Sequence, residues 1–215
     1  MRFVFEQIRT GGDRNFGYLL GDRDAGKAVL VDPSYDPGKL VERARAQGLE
    51  VTHLVNTHGH SDHVNGNAKA KKLTGAPLVA HRSAASRPEV GIDHGDELAV
   101  GELVLKFLFT PGHADDHVCV LVDDVCITGD TLFVGKVGGT GTEEAARTEY
   151  ASLRDVLLPL PDATTVWPGH DYGCRPSSTI GLEKRTNPFL LCDGLEAFLE
   201  LKAGWADFKK QNGLV

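Results

Sequence analysis

Within Thr57-His-Gly-His-Ser-Asp-His63, the metal-ligating side chains His58, His60, Asp62 and His63 fall inside six positions. Alternate residues of an extended chain face the same side, so His58 and His60 can converge on one ion. Asp62 and His63 turn away where a helix begins and can reach a second ion nearby. Three further donors each follow a strand-like run and a glycine. They are His113 after Phe107-Leu-Phe-Thr-Pro-Gly112, Asp130 after Val125-Cys-Ile-Thr-Gly129, and His170 after Thr165-Val-Trp-Pro-Gly169. Strand ends are where a scaffold presents chemistry, and glycine permits the tight turn that aims the next side chain. Imidazole and carboxylate donors suit zinc, iron or manganese.

The elements that must position these donors alternate along the chain. Short strands are predicted at Phe3–Ile8, Phe16–Leu20 and Lys27–Val31, separated by glycine-containing turns. A helix is predicted over Pro37–Gln47, closed by Gly48. Val51–Asn56, rich in β-branched residues, reads as the buried strand that delivers the histidine run. Asp62–Leu73 reads as the helix after it, and Leu78–Ala80 as another strand. Leu98–Phe109 reads as a strand pair broken at Gly101, and Val118–Val122 with Val125–Thr128 as a hairpin across Asp123-Asp124. Glu143–Leu158 is predicted helical, with Pro159 ending it. A strand at Thr164–Trp167 precedes helices at Ser177–Arg185 and Cys192–Lys210. Strands then helix, repeated, imply two sheets packed face to face with helices outside. The expectation is a single α/β domain over residues 1–215, with a short helical carboxy-terminal extension from about residue 177.

The chain has 215 residues and a formal charge of −7, enough for a well-buried core, and it shows no basic stripe. Nucleic acid and anionic membrane are therefore disfavoured as partners. No stretch approaches a membrane span, and the amino terminus lacks the apolar core of a secretory signal. Four cysteines, at 119, 126, 174 and 192, show no metal or disulfide spacing. A cytoplasmic protein with reduced thiols is the simplest reading.

The ordered motifs T-H-x-H-x-D-H, P-G-H, G-D-T-L-F and P-G-H, ending at His170, resemble the metallo-β-lactamase superfamily. The similarity is greatest to its glyoxalase II and persulfide dioxygenase branch. The resemblance implies a four-layer αββα sandwich with the site at one edge of the paired sheets. It implies that His58, His60 and His113 bind one metal, that Asp62, His63 and His170 bind a second, and that Asp130 bridges them. Two divalent ions, zinc foremost with iron or manganese as alternatives, would acidify water toward a pKa of about 7. That water would attack a thioester carbonyl, with Asp62 orienting it as the catalytic carboxylate.

The same residues support a second chemistry. His58, His113 and Asp130 form a two-histidine, one-carboxylate triad, the pattern of mononuclear non-haem Fe(II) oxygenases, and the persulfide dioxygenases use it with a single iron. A noncatalytic metal-binding module is the third class. The leading expectation is a thioesterase resembling glyoxalase II and acting on a small-molecule acyl-thiol.

The chain departs from both branches after Phe133. It reads Val134-Gly-Lys-Val-Gly-Gly-Thr-Gly141, without the Gly-Cys-Gly element that both carry there. Lys136 and Tyr172 are the candidate substrate contacts. Asp171 is a candidate carboxylate behind the metal ligands. His117 could support the ligands from behind but reads first as a surface residue, and Glu183-Lys-Arg185 reads first as a loop anchor, with carboxylate binding as the alternative.

Overall fold

A computed structural model describes residues 2–213. In the first sheet, β1 (Phe3–Gly11), β2 (Asn15–Asp22), β3 (Lys27–Val31), β4 (Glu50–Val55), β5 (Leu78–His81) and β6 (Val90–Ile92) lie side by side in chain order. The first three strands are antiparallel, and β3 to β6 are parallel. Parallel neighbours need crossovers. α1 (Pro37–Ala46) supplies the first, and α2 (Ser61–Val64) with α3 (Asn67–Thr74) the second.

The second sheet is built from β7 (Glu97–Val100), β8 (Leu103–Phe109), β9 (Val118–Val122) and β10 (Val125–Gly129). After a small hairpin of β11 (Leu132–Phe133) and β12 (Lys136–Val137), the chain enters α4 (Glu143–Ala151). It returns as β13 (Thr165–Pro168), parallel to β10, and β14 (Ser178–Thr179). α5 (Ile180–Thr186), α6 (Leu195–Ala203) and α7 (Trp205–Gln211) complete the order.

Three apolar clusters define the layers. Tyr18, Leu20, Val29 and Val31 of the first sheet meet Leu105, Phe107, Val120 and Ile127 of the second. Leu19, Leu30 and Leu54, on the other face of the first sheet, pack with Leu40, Val41 and Ala70 of α1 and α3. Cys119, Cys126 and Val166 face Leu153, Ile180 and Phe198 outside the second sheet. The result is the expected αββα sandwich. β3 and β4 are apolar on both faces because both faces are covered.

The structure corrects several boundaries. The helix expected over 62–73 is broken at Asn65-Gly66, where the backbone packs so closely that a Cβ on Gly66 would lie 2.0 Å from the Pro33 carbonyl oxygen. The helix expected over 143–158 is α-helical only to Ala151 and continues as a π-helical turn over Ser152–Leu157. The carboxy-terminal extension opens with strand β14 rather than a helix, and its long helix is split at Gly204. No helix among the described residues is long and apolar enough to cross a membrane.

β8 and β10 both run antiparallel to β9, and β13 runs parallel to β10. Their carboxy-terminal ends therefore share one edge of the sandwich. The end of β4 reaches the same edge, where Val118 N–H donates to the Thr57 carbonyl at 2.8 Å.

Candidate metal centre

All seven sequence-predicted donors meet at that edge. Ligand atoms of His58, His60 and His113 lie within 4.8 Å of one another, as do those of His58, His63 and Asp130, and those of Asp62, His63 and His170. The closest approaches are His58 Nε2 to His60 Nδ1 at 3.0 Å, His60 Nδ1 to His113 Nε2 at 2.9 Å, and His63 Nε2 to His170 Nε2 at 3.2 Å. Asp130 lies between the two sets. Its Oδ2 is 3.5 Å from His113 Nε2 and 3.2 Å from His170 Nε2, and its Oδ1 is 3.4 Å from His63 Nε2.

The backbone explains why these positions converge. Gly129 has φ of +49°, and a Cβ there would meet His117 Nε2 at 2.6 Å. At Gly169 the constraint is space, since a Cβ would sit 2.2 Å from Asp130 Oδ1. Glycine before Asp130 and His170 lets two strand ends close on one carboxylate.

Acceptors behind the rings determine which nitrogen faces the centre. His113 Nδ1 donates to the Gly139 carbonyl at 2.7 Å, and His170 Nδ1 donates to the Asp13 carbonyl at 2.8 Å. His63 Nδ1 donates to Asp32 Oδ2 at 2.9 Å. Thr57 Oγ1 donates to the same Asp32 oxygen at 2.6 Å and lies 3.0 Å from His58 Nδ1. With these protons committed outward, the Nε2 lone pairs point inward, the arrangement of metal-binding histidines. Unprotonated nitrogens about 3 Å apart repel unless a cation lies among them. Asp130 Oδ1 is buried without a hydrogen-bond partner. A bound cation relieves both penalties, so the donor set fits one.

Burial holds His58 well below the usual imidazole range and His113 down to about 4, so both present neutral rings. Burial also disfavours the charged form of His63, but the facing carboxylates of Asp32 and Asp130 outweigh it and raise its proton affinity. His170 is raised in the same way, chiefly by Asp130 against burial. Burial would raise Asp130, yet the facing His170 and His63 rings keep its carboxyl well below the ordinary value.

Asp62 is a partly open donor, with its side chain 33% exposed. Asn15 Nδ2 donates to its Oδ2 at 3.0 Å and to its carbonyl at 3.2 Å.

The sequence does not single out Asp32 or Asn15, and for His117 it ranks the surface reading above the supporting one. Asp32 follows β3 directly and precedes a proline, yet it is buried at φ +46° and also accepts from the Thr57 N–H at 2.8 Å. Its signal was an acidic residue at a buried strand end before proline. His117 is fully buried rather than at the surface. Its Nε2 accepts from the Asp130 N–H at 3.0 Å, and Nδ1 faces Thr110 Oγ1 at 2.9 Å. Asp171 pairs with Arg9, not with a ligand histidine.

Tyr172 stacks on the His170 ring, with centroids 4.6 Å apart, and donates to Asp13 Oδ2 at 2.6 Å. Lys136 is half-buried, its ammonium 4.0 Å above the Tyr172 ring and 5.0 Å from Phe133. Arg14 lies over the same tyrosine at 4.9 Å. Burial, then the nearby Lys209, lowers the Lys136 pKa. Both candidate substrate residues thus border the His170 side. Glu183 anchors the glycine loop, as its Oε2 accepts from the Gly135 N–H at 2.9 Å. Gly141 and Thr142 line two clefts, one of about 710 Å³ against His60 and His113, the other of about 460 Å³ against Lys136, Phe189 and Trp205.

Comparison with known proteins agrees with this arrangement. Residues 10–170 match the family model described as Lactamase_B, metallo-beta-lactamase superfamily. A hydroxyacylglutathione hydrolase of Polaromonas sp. is 39% identical over 177 residues, covering 79% of this chain and 67% of that protein. Human mitochondrial persulfide dioxygenase ETHE1 is 31% identical over 195 residues, covering 88% and 75%. The crystal structure of ETHE1 from Myxococcus xanthus superposes with a TM-score of 0.88 at 36% identity, covering 94% of this chain and 91% of that one. A sandwich that brings seven donors to one edge, over a match spanning every one of them, makes this chain a member of the metallo-beta-lactamase superfamily.

Proposed function

We propose that the protein is a metal-dependent hydrolase that cleaves a small acyl-thiol. The observation that carries this reading is the position of Asp130, one carboxylate facing His113 on one side and His63 and His170 on the other. Ions held by His58, His60 and His113, and by Asp62, His63 and His170, with Asp130 between, would acidify a water and supply charge against an oxyanion.

The chain's own groups have distinct tasks. Asp62 is held ionised: burial raises it, but the Asn15 hydrogen bond and His63 outweigh that. Its open, oriented carboxylate suits it to hold a water proton at Oδ2. The leaving thiolate needs no strong acid. Lys136 and Arg14 around Tyr172, with Lys209 nearby, form a positive rim for an anionic group on the thiol carrier. The hydroxyacylglutathione hydrolase relative supports a thioester of that type.

A second reading has a specific observation in its favour, the near full-length likeness to the Myxococcus xanthus ETHE1 structure. There, His58, His113 and Asp130 would serve one Fe(II) and the substrate would be a persulfide. The two readings separate in one experiment. Zinc- and iron-reconstituted proteins are assayed for thiol release from S-lactoylglutathione without oxygen, and for oxygen consumption with glutathione persulfide. Metal-dependent thiol release that is lost in His58→Ala supports the hydrolase. Oxygen uptake by the iron form alone, without thiol release, replaces it with the dioxygenase.

A further inference from the structure

Glu149, in the last turn of α4, is fully buried, and its partner is Lys202 of α6, whose side chain is 10% exposed. Lys202 Nζ lies 5.5 Å from the ring centroid of Phe198, a fully buried member of the apolar cluster outside the second sheet. A buried ion pair is a poor source of stability, since desolvation offsets its attraction and an apolar pair often serves as well. Lys202 has further partners. An ammonium has three N–H donors, and here they go to Glu149 Oε2, to the Gly138 carbonyl at 2.9 Å and to Thr140 Oγ1 at 3.2 Å. Between those two acceptors lies Gly139, whose carbonyl receives the His113 Nδ1 proton at 2.7 Å.

The packing converges on the same point. A Cβ on Gly112, the residue before His113, would meet the Glu149 backbone and Cβ at 2.4–2.5 Å. One on Gly138 would lie 2.9 Å from Glu149 Oε1 and 3.0 Å from His113 Nδ1. Ser152, one turn further along, donates to the Pro111 carbonyl at 2.7 Å. The segment carrying His113 and the segment carrying its acceptor both rest on Glu149. The acceptor segment includes Gly138, Gly139 and Gly141, whose backbone freedom must be restrained from outside.

We propose that Glu149 and Lys202 are positioning residues: the pair pins the Gly138–Thr140 segment so that the Gly139 carbonyl orients His113 for its ion. The proposal rests on the metal-centre reading above. Glu149 aims the ammonium, Lys202 holds the loop, and the loop keeps the His113 proton on Nδ1 and its Nε2 lone pair inward.

The test uses Co(II), whose visible absorption reports ligand geometry. Co(II) affinity and spectrum are measured on the metal-free full chain, together with its thermal midpoint. Glu149→Leu combined with Lys202→Met removes the pair while keeping an apolar filling. It is expected to weaken Co(II) at least tenfold, as loss of a ligand's outer partner does, and to alter the spectrum, with the metal-free midpoint retained. Glu149→Gln keeps an acceptor for Lys202 and is expected to stay near wild type. Thr140→Val, which removes one loop contact and no buried charge, is expected to shift the spectrum less, in the same direction. Native affinity and spectrum in the folded double variant, or in Thr140→Val if the double variant does not fold, overturn the proposal alone. Failure of wild type to bind Co(II), or a His113→Ala spectrum equal to wild type, overturns the metal-centre reading and the proposal with it.

Discussion

The two ends of the centre hold their histidines by different means. At the His63 end, the ring proton goes to Asp32, a buried carboxylate at the end of β3 that also grips Thr57 through two hydrogen bonds. That support lies within the first sheet. At the His113 end, the acceptor is a carbonyl in a glycine-rich segment, and its anchor comes from α6, far along the chain. One end is oriented by a sheet that is rigid for other reasons, the other by a loop that must be held. The same task of fixing an imidazole tautomer is thus solved locally in one half and by a distant contact in the other.

Asp130 belongs to both ends, so removing it is the severest disturbance. Asp130→Ala, like His58→Ala, is expected to abolish stoichiometric metal and turnover while far-UV circular dichroism remains native. Metal analysis showing full loading and normal turnover in both variants would sink the ligand assignment.

The support of the His113 end titrates. Burial raises Glu149 from 4.5 to about 7, with Lys202 pulling the other way. A folded value above the unfolded one stabilises most at low pH, below the unfolded value, and that contribution is lost as pH rises through about 7. Relative to Glu149→Gln, wild type is therefore expected to lose up to about 3 kcal/mol between pH 4.5 and pH 8. Denaturant midpoints of the two metal-free proteins across that range measure it. A constant difference would show that Glu149 keeps one charge state throughout.

The His63 end is probed by Asp32→Asn, which keeps the shape and removes the charge. A fall in metal affinity of roughly 10- to 100-fold is expected, confined to one ion if two are bound. Titration with a competing chelator would reveal an equal loss at both ions as evidence against separate support.

The smallest effect lies outside the ligand set. Lys136→Ala is expected to raise KM for an anionic substrate about tenfold, the worth of a charged hydrogen bond, with kcat nearly unchanged. An equal fall in kcat would place Lys136 in the chemistry instead of the rim.

How legible the site was in the sequence depended on distance along the chain. His58 and His60 were readable because alternation in an extended segment puts them on one side. The three glycine-preceded donors were readable because strand ends place chemistry. Their supports were not. Asp32 lies 31 positions from His63, and nothing in a strand-ending Asp-Pro names its partner. His117 read as a surface residue because polar histidines between strands usually are, yet the connection from β8 to β9 folds it beneath Asp130.

By itself, the sequence indicated two packed sheets with helices outside, through its alternation of strand and helix patterns, and nominated seven candidate donors, through short-range spacing, strand ends and family resemblance. Tertiary structure alone decided how those donors are aimed. It placed Asp32 behind His63, His117 behind Asp130, and Lys202 beneath the loop that receives the His113 proton. Spacing along a chain encodes which side chains share a face. Hydrogen-bond partners across packed layers depend on the register of one sheet against another, which is settled only when the core closes.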